Sequence, residues 1–227
     1  MQKSSKLQHS YWVVVPAYNE EKYLAKVLKK IGHYTSHIIV VDDGSSDQTA
    51  TIASQYTAHV LKHRVNLGKG AALTTGCEYA FSVQDAQAVF FLDSDDQHDP
   101  HELILFQEQL LKGYDIVFGI RGLTKDMPLV KRMGNIFISI FIYILFGKYF
   151  SDVLSGYKAF TKEAYHTIRW ETHDYAVELE IAVRVARSLL KRKGVIIKTI
   201  YHDHDRGMTL LDAMHFITLL INWRLSI

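Results

Sequence analysis

The residues with the clearest chemical potential in this chain follow an apolar run that is typical of a buried strand. Asp93, Asp95 and Asp96 lie close together, and Gln97 comes next. Carboxylates at this spacing repel one another unless a positive charge lies among them, and Mg²⁺ and Mn²⁺ prefer such oxygen ligands together with substrate phosphates. Alternation along an extended chain puts Asp93, Asp95 and Gln97 on one side and Ser94 and Asp96 on the other. The pattern predicts a metal–diphosphate site at the carboxyl end of the strand.

A calcium loop, an aspartate phosphatase and a helix cap each account for the aspartate cluster less well. An EF-hand calcium loop would need glycine at position 98 and glutamate at 104, where the chain has His98 and Ile104. A phosphatase with an aspartate nucleophile usually carries its aspartates after the first strand, and here they follow the fourth. A purely helix-capping role explains Asp99 but leaves Asp93 and Asp95 crowded without a reason. The metal site is the favoured interpretation.

The elements that position this cluster are indicated by the order of the apolar segments. The first 120 residues alternate strand and helix, which predicts an α/β fold with a mostly parallel sheet and helices on both faces. Ligands bind beyond the carboxyl ends of the strands in such sheets, where Tyr18, Asp43 and Asp93 fall. Asn19 is predicted to cap the first helix and Gly32 to end it. Strands are predicted at 12–15, 38–41, 59–61, 88–93, 115–119 and 195–200, and later helices at about 48–56, 66–81, 177–192 and from 210.

Two more segments follow predicted strands and could contact a nucleotide. The loop 66–70 has two glycines and Lys69, but the chain contains neither GxxxxGK[ST] nor a GxGxxG after a strand. This argues against P-loop hydrolases and dinucleotide-dependent oxidoreductases. Taken alone the loop is a tight helix entry; beside a nucleotide, Lys69 and the exposed amides could contact the base or phosphates. Asp47 is predicted to cap the next helix, and Asp43 to accept a base N–H or ribose hydroxyls.

Composition narrows the class of protein. The 227 residues are 48% hydrophobic and 22% charged, which suffices for one large α/β domain with a filled core. A net charge of +2 gives no broad attraction to nucleic acid, which we exclude as a partner. The single cysteine, Cys77, cannot form an internal disulfide, so a reducing, cytoplasmic compartment is expected. Residues 1–10 lack the apolar core of a signal peptide.

A second apolar stretch lies at 136–146, after Lys131 and Arg132 and before Lys148. It is shorter than the roughly 18 uninterrupted apolar residues of a spanning helix. Three interpretations stay open: a core helix, an interfacial helix with cations beside lipid phosphates, and a subunit contact.

Several motifs together resemble those of inverting glycosyltransferases of family 2. The resemblance runs from about residue 12 to about 215, and later segments narrow it to the polyprenyl-phosphate branch, which includes dolichol-phosphate mannose synthases. It implies a GT-A-like nucleotide-binding fold with C-terminal amphipathic or interfacial helices. The motifs are Val15–Glu21, Val40–Asp47 and the aspartate cluster for the family, and Gly119–Arg121, Lys131–Asn135, Asp152–Phe160, Val177–Glu180 and Asp205–Arg206 for the branch.

The resemblance also implies roles for matching residues. Asp95, Asp152 and Arg121 are the expected catalytic residues, with Asp152 orienting the sugar and acting as a base only weakly. Metal binding is implied for Asp93, Asp95 and Gln97, and contact with the acceptor phosphate for Arg121, Arg132 and Ser155. Including Lys69, the expected nucleotide-sugar site is Pro16, Tyr18, Glu20, Val41, Asp43, Lys69, Asp93, Ser94, Asp95 and Arg206.

The implied function is metal-dependent, inverting transfer of a sugar from GDP-mannose, UDP-glucose or UDP-N-acetylglucosamine to a polyprenyl phosphate. Mg²⁺ or Mn²⁺ is the expected cofactor, and the cytoplasmic face of a membrane the expected location, with a second copy or a small anchoring subunit left open as partners. Residues 1–227 are expected to form one domain, with a donor and metal half at about 11–120 and an acceptor and membrane-facing half at about 121–227. The alternatives are a transferase with a soluble glycan or protein acceptor and a non-enzymatic nucleotide-sugar-binding subunit.

The chain departs from the family pattern near its end. Position 212 is Asp212, where the family often has lysine, and Thr209–Leu211 replaces a Ser-Lys-Leu signature. His202 and His204 have a spacing compatible with metal binding, although such histidines are more often solvated. Glu178 and Glu180 are two apart on a predicted helix, do not share a face, and are expected to have structural or loop-orienting roles.

Overall fold

A seven-stranded sheet forms the centre of the protein in the computed structural model, which describes residues 6–122, 129–200 and 210–226. For 129–131 and 210–213 only the backbone is described. The strands are β1 (Tyr11–Ala17), β2 (Ile38–Asp42), β3 (His59–Lys62), β4 (Ala88–Phe91), β5 (Ile116–Arg121), β6 (Lys158–Thr161) and β7 (Arg192–Ile197).

The sheet is mostly parallel, as predicted. Its order is β3-β2-β1-β4-β6-β5-β7. Strands β1 to β4 are parallel, β6 runs antiparallel between β4 and β5, and β7 is parallel to β5. All seven residues of β1 are buried, as expected of a strand covered on both faces. The carboxyl ends of β1, β2 and β4 therefore meet at one edge.

Helices cover both faces of the sheet, and side chains alternate between two cores. Val13 and Val15 of β1 belong to one core with Leu24, while Val14 belongs to the other with Leu73. A 3₁₀ turn, Pro100–Glu102, precedes the fourth helix. The helices are α1 (Leu24–Ile31), α2 (Thr49–Ala53), α3 (Lys69–Ser82), α4 (Leu103–Leu111), α5 (Leu129–Phe146), α6 (Lys162–Ile168), α7 (Val177–Arg187) and α8 (Leu210–Leu225).

The predicted cap of the first helix is wrong. Asn19 has a positive φ of 54°, a conformation that asparagine tolerates, and its Oδ1 accepts a hydrogen bond from the backbone N–H of Ser46 at 3.0 Å. Helix α1 begins later, with Tyr23 at its N-cap, and Gly32 ends it as predicted. The side chain of Asn19 therefore joins the loops after β1 and β2. Asp47 does hold the start of α2, since its Oδ1 accepts from the Thr49 N–H at 2.9 Å.

The boundary between the last long helix and the last strand is also different from the prediction. Helix α7 ends at Arg187, and β7 already begins at Arg192. The Lys191 N–H donates to Asp115 Oδ2 at 2.7 Å, and Arg192 pairs with Ile116. The charged residues at the start of β7 thus belong to an edge strand, where charge discourages pairing with another chain.

The apolar stretch at 136–146 forms most of α5, and one side of this helix belongs to the core, as the first interpretation predicts. Ile138 and Ile142 are buried in the core, and α5 packs on α8. None of the described helices combines the length and the apolar character that crossing a bilayer requires. On the opposite side α5 exposes a row of apolar residues at helical spacing, which we call the α5 face. Its members are Met133, Ile136, Phe137, Ile140, Tyr143 and Ile144.

Glu102, beside the sheet, makes stability depend on pH. Its side chain is buried, and Oε1 accepts from the Lys198 N–H at 2.6 Å. Burial raises the pKa of Glu102 to about 7 from 4.5. Because this folded-state pKa is above the unfolded one, the favourable contribution of the neutral group is complete below pH 4.5 and is lost as pH rises through 7.

Glu102→Gln is expected to stabilise the protein at pH 8 by about 1–2 kcal/mol, because the amide keeps the acceptor for Lys198 and cannot ionise. The gain should vanish at pH 4, where Glu102 is already neutral. Thermal unfolding at the two pH values measures it. Glu163→Gln, at an exposed position of α6, controls for the loss of a carboxylate. An equal effect of Glu102→Gln at both pH values would show that ionisation of this residue is not the cause.

Candidate functional site

A cleft of about 780 Å³ opens beyond the carboxyl ends of β1, β2 and β4. Three segments predicted to bind ligand border it, namely the loops after these strands. Residues from the second half of the chain also line it, including His215 and Phe216 of α8. The predicted site residues that line the cleft are Pro16, Tyr18, Glu20, Asp43, Lys69, Asp93, Ser94, Asp95, Gln97, Arg121 and Ser155.

Asp93 lies at the centre of the site and is tightly enclosed. Its Oδ1 accepts from Lys69 Nζ at 2.7 Å, and His98 Nε2 is 3.9 Å from Oδ2. Burial alone would raise the pKa of Asp93, but the charge of Lys69 lowers it overall. A Cβ added at Gly156 would come within 2.3 Å of Asp93 Oδ2. A side chain at position 156 would displace this carboxylate, which the charge of Lys69 holds in the ionised form.

Asp95 completes a pair of carboxylates that fits a hard cation. Burial, followed by the charge of Asp93, raises the pKa of Asp95 to about 6, so a cation beside this carboxylate would favour its ionised form. The described residues contain no cluster of three or more His, Cys, Asp or Glu side chains that could hold an ion by themselves. Mg²⁺ commonly takes one or two carboxylates and completes its shell with substrate phosphates. Asp93, Asp95 and Gln97 fit that pattern.

Asp96 is directed away from the cleft, as predicted, but strand alternation is not the reason, because residues 94–95 form a turn and Ser94, predicted on the same side as Asp96, lines the cleft. Asp96 has a positive φ of 59°, and its carboxylate is 2.7 Å from both Lys26 Nζ and Lys30 Nζ on α1. Two lysines hold this loop against α1, so neighbouring aspartates serve two purposes: one faces the cleft and the next anchors the loop.

Asp43 lines the cleft, and its carboxylate holds the loop before α3. Oδ1 accepts from the Leu67 N–H at 2.9 Å and lies 2.7 Å from His63 Nδ1, and Oδ2 accepts from the Gly68 N–H at 2.8 Å. Gly68 has a φ of 98°, and a Cβ there would be 2.5 Å from the His173 carbonyl oxygen. Asp43 thus sets the position of Lys69, which follows directly.

Arg121 and Asp152 form a bidentate ion pair. Arg121 donates from Nε to Oδ2 at 2.7 Å and from Nη2 to Oδ1 at 2.8 Å, and its backbone N–H donates to Oδ2 at 3.0 Å. Asp152 is buried and is not among the residues that line the cleft, whereas Arg121 is. Asn135 of α5 holds the same loop, since it donates to the Ser151 carbonyl at 3.0 Å and accepts from the Val153 N–H at 3.1 Å. The arrangement makes Asp152 an orienting partner of Arg121.

Some predicted site residues lie away from the cleft. The side chain of Val41 is buried in the core beside α3 and does not reach the cleft. Arg132 is exposed on α5 and is not part of the cleft wall. Arg206, His202 and His204 lie outside the described residues, as does the side chain of Asp212.

Glu178 is the site residue that the sequence indicated least well. It is buried, lines the cleft, and its Oε1 lies 3.0 Å from Lys69 Nζ. Its other oxygen accepts from Lys158, a fully buried lysine. The spacing of Glu178 and Glu180 separates their faces but does not say which one faces a ligand. Glu180 orients a loop, as expected, because its Oε2 accepts a hydrogen bond from the Thr172 N–H at 2.7 Å.

The mostly parallel sheet and the aspartate-lined cleft beyond its carboxyl edge define an α/β protein of the nucleotide-binding, GT-A-like class. The chain belongs to glycosyl transferase family 2, whose family model matches residues 12–177. It is therefore a glycosyltransferase, which excludes the non-enzymatic subunit as an interpretation.

Similar relatives confirm the resemblance to the polyprenyl-phosphate branch. A UDP-N-acetylglucosamine–dolichyl-phosphate N-acetylglucosaminyltransferase of Methanococcus voltae is 31% identical over 86% of this chain and 87% of its own. A dolichyl-phosphate hexose transferase of Haloferax volcanii is 33% identical over 77% and 75%. An uncharacterized protein of Methanocaldococcus jannaschii is 37% identical over 92% and 90%.

Solved structures confirm the fold. Glucosyl-3-phosphoglycerate synthase from Mycobacterium tuberculosis in complex with Mg²⁺ and UDP has a TM-score of 0.72 at 22% identity, over 96% of this chain and 79% of that one. Its complex with Mn²⁺, UDP and phosphoglyceric acid has a TM-score of 0.71 at 24% identity, over 95% and 77%.

Proposed function

We propose that this protein transfers a sugar from a nucleoside diphosphate sugar to a polyprenyl phosphate at a membrane surface. The observation that carries the proposal is the layout of the cleft. Asp93 and Asp95 line the same opening as Arg121 and Ser155, and α8, which contributes His215 and Phe216 to the cleft wall, packs on the apolar helix α5. One opening thus combines a cation–diphosphate half, a phosphate-binding half and an apolar border.

The donor half is built from Asp93, Asp95 and Gln97, which would hold Mg²⁺ or Mn²⁺ against the diphosphate. Glucosyl-3-phosphoglycerate synthase, which shares the fold, was solved with each of these cations and UDP. When bound, such a cation neutralises the negative charge that develops on the leaving diphosphate. Tyr18, exposed at the rim, and Asn66 in the loop before α3 would border the nucleotide.

The acceptor phosphate must be positioned for attack but does not need to be deprotonated by the protein. A phosphate monoester is largely dianionic near neutral pH, since its second pKa is about 6, and is already a nucleophile. Arg121, held by Asp152, would present its guanidinium to that phosphate in a fixed orientation. Ser155 Oγ is buried and has no hydrogen-bond partner within the described residues, so it would donate to a substrate oxygen.

The α5 face would bind the bilayer surface beside the cleft. It carries apolar and aromatic side chains outward, and Met214, Ile221 and Leu225 of α8 are exposed as well. Basic residues border α5: Arg132 lies near its start, and Lys148 lies just past its end. An apolar strip between cations complements a surface of acyl chains and anionic headgroups. A polyprenyl phosphate would reach the cleft along this side, from the cytoplasmic face.

Ile140→Glu with Ile144→Glu is expected to weaken binding to phosphatidylcholine–phosphatidylglycerol vesicles by about tenfold or more, because two apolar contacts become charged. Vesicle flotation measures the bound fraction. Leu111→Glu on α4, an exposed leucine outside the α5 face, is the matched control. Equal binding of the double variant and the control would contradict a bilayer contact through α5.

A turnover matrix tests the proposed function directly. GDP-mannose, UDP-glucose and UDP-N-acetylglucosamine are each combined with Mg²⁺ or Mn²⁺ and with dolichyl or undecaprenyl phosphate, and the glycolipid product is followed. We expect metal-dependent transfer from one donor to the lipid phosphate. Transfer only to a soluble acceptor such as 3-phosphoglycerate, with none to either lipid phosphate, would overturn the proposed acceptor.

A further inference from the structure

Four side chains of alternating charge form a series that runs from Asp93, in the loop after β4, into the protein interior. Asp93 meets Lys69 at 2.7 Å, and Lys69 meets Glu178 at 3.0 Å. Glu178 in turn pairs with Lys158, whose ammonium also donates to the carbonyl oxygen of Ser155. The four side chains come from the loop after β4 and from the starts of α3, α7 and β6, so they join four separate parts of the chain.

The two lysines of this series differ in their freedom to move. Lys158 is fully buried and is held by both Glu178 and the Ser155 carbonyl. Lys69 lies in the wall of the cleft with 14% of its side chain exposed. A lysine is a compact charge on a flexible stem and exchanges partners more easily than an arginine fork. Lys69 is therefore the mobile member, and Glu178 is a fixed anchor for it.

Lys69 also occupies the place where positive charge is needed. Asp93 and Asp95 repel each other in the cleft, and a cation would bind at the same carboxylate that Lys69 contacts. A divalent cation and an ammonium on one carboxylate repel each other, so the cation must compete with Lys69. A diphosphate would relieve this competition, because its oxygens offer the ammonium another partner.

We propose that Lys69 is an exchangeable counterion: it holds Asp93 in the cation-free protein and moves to the donor diphosphate when cation and donor bind, while its ammonium keeps Glu178 as the second partner. The inference rests on the proposed use of a cation and a diphosphate. It makes binding of the two cooperative, because the diphosphate removes the lysine that opposes the cation, and such coupling is reciprocal. The enzyme would then bind the cation weakly alone and tightly with the donor.

Mn²⁺ binding, followed by the electron paramagnetic resonance signal of the free ion, tests this without turnover. The parent protein is expected to bind Mn²⁺ weakly alone and much more tightly with UDP. Lys69→Met is expected to bind Mn²⁺ alone about tenfold tighter than the parent does, because the competing charge is gone. The increase in its Mn²⁺ affinity on addition of UDP should be about tenfold smaller than in the parent. Lys162→Met, which removes a lysine paired with Asp85 at 3.3 Å, should match the parent.

The outcomes separate this inference from the proposed function. If the parent binds no Mn²⁺ even with UDP, the proposed function fails and the inference with it. If the parent binds Mn²⁺ in the presence of UDP, but Lys69→Met binds Mn²⁺ alone no more tightly than the parent does, only the inference about Lys69 is overturned.

A second measurement avoids any variant that folds poorly. In a crystal structure of the parent protein with Mn²⁺ and UDP, Lys69 Nζ is expected about 3 Å from a phosphate oxygen and beyond hydrogen-bond distance of Asp93. A lysine that stays on Asp93 beside the bound ion would contradict the exchange.

Discussion

Asp93→Asn is expected to lower sugar transfer by at least about a thousandfold while the protein stays folded. Asp93 provides the carboxylate that both Lys69 and the cation would contact, and it is packed closely against Gly156. The asparagine keeps the shape of the side chain, so Gly156 still fits, but it removes the charge that attracts the cation. Asp93→Ala should behave in the same way with a larger loss of stability.

The measurement is metal-dependent formation of glycolipid, with thermal unfolding as the test of folding. Asp96→Asn is the matched control, because the same change is made three residues along the loop at a carboxylate that faces away from the cleft toward Lys26 and Lys30. It should lower the unfolding temperature and leave turnover of the folded protein near the parent value. Metal-dependent turnover retained by Asp93→Asn would refute the assignment of the donor site.

Arg121→Met and Asp152→Asn are each expected to lower transfer by about a hundredfold, and the double variant should be little worse than Arg121→Met alone. Asp152 accepts three hydrogen bonds from Arg121, so its contribution should pass through the guanidinium that meets the acceptor phosphate. Once Arg121 is absent, Asp152 has little left to orient.

The double-mutant cycle is measured as kcat/KM for the lipid phosphate, with Arg169→Met as the control for loss of an exposed arginine that is paired with Glu78 at 2.7 Å. The pH profile gives an independent test. A base at position 152 would make Asp152→Asn lose the acidic limb of the profile and would make the two effects additive. An orienting Asp152 leaves the shape of the profile unchanged, since the acceptor phosphate supplies its own charge.

Much of the donor side was predictable because its signals are local. The strand before Asp93 and the strand-to-helix order both depend on neighbours within a few residues. The alternation predicted for Asp93 to Gln97 was wrong for Ser94, because the chain turns directly after the strand and Ser94 lines the cleft. The start of α1 and the end of α7 were misplaced, because Asn19 bonds to the loop after β2 and Lys191 bonds to Asp115. Such boundaries depend on partners that are distant in sequence.

The acceptor side depended more on tertiary contacts. Motif similarity indicated Arg121 and Asp152, but not that they form one bidentate unit across 31 positions of sequence. It also grouped Val41 and Arg132 with the site, although one side chain is in the core and the other is exposed on α5. A motif identifies which residues recur together; only packing decides which side chains face the ligand.

The sequence by itself determined the α/β fold through the order of its apolar segments, and the family through its motifs, because both signals lie in short stretches of the chain. The tertiary structure alone decided how the carboxylates of the cleft are balanced. Asp93, Lys69, Glu178 and Lys158 are far apart in sequence. They form one series of ion pairs only after the four segments that carry them meet. The physical reason is that a buried charge must be paired, and the fold determines which partner lies within reach.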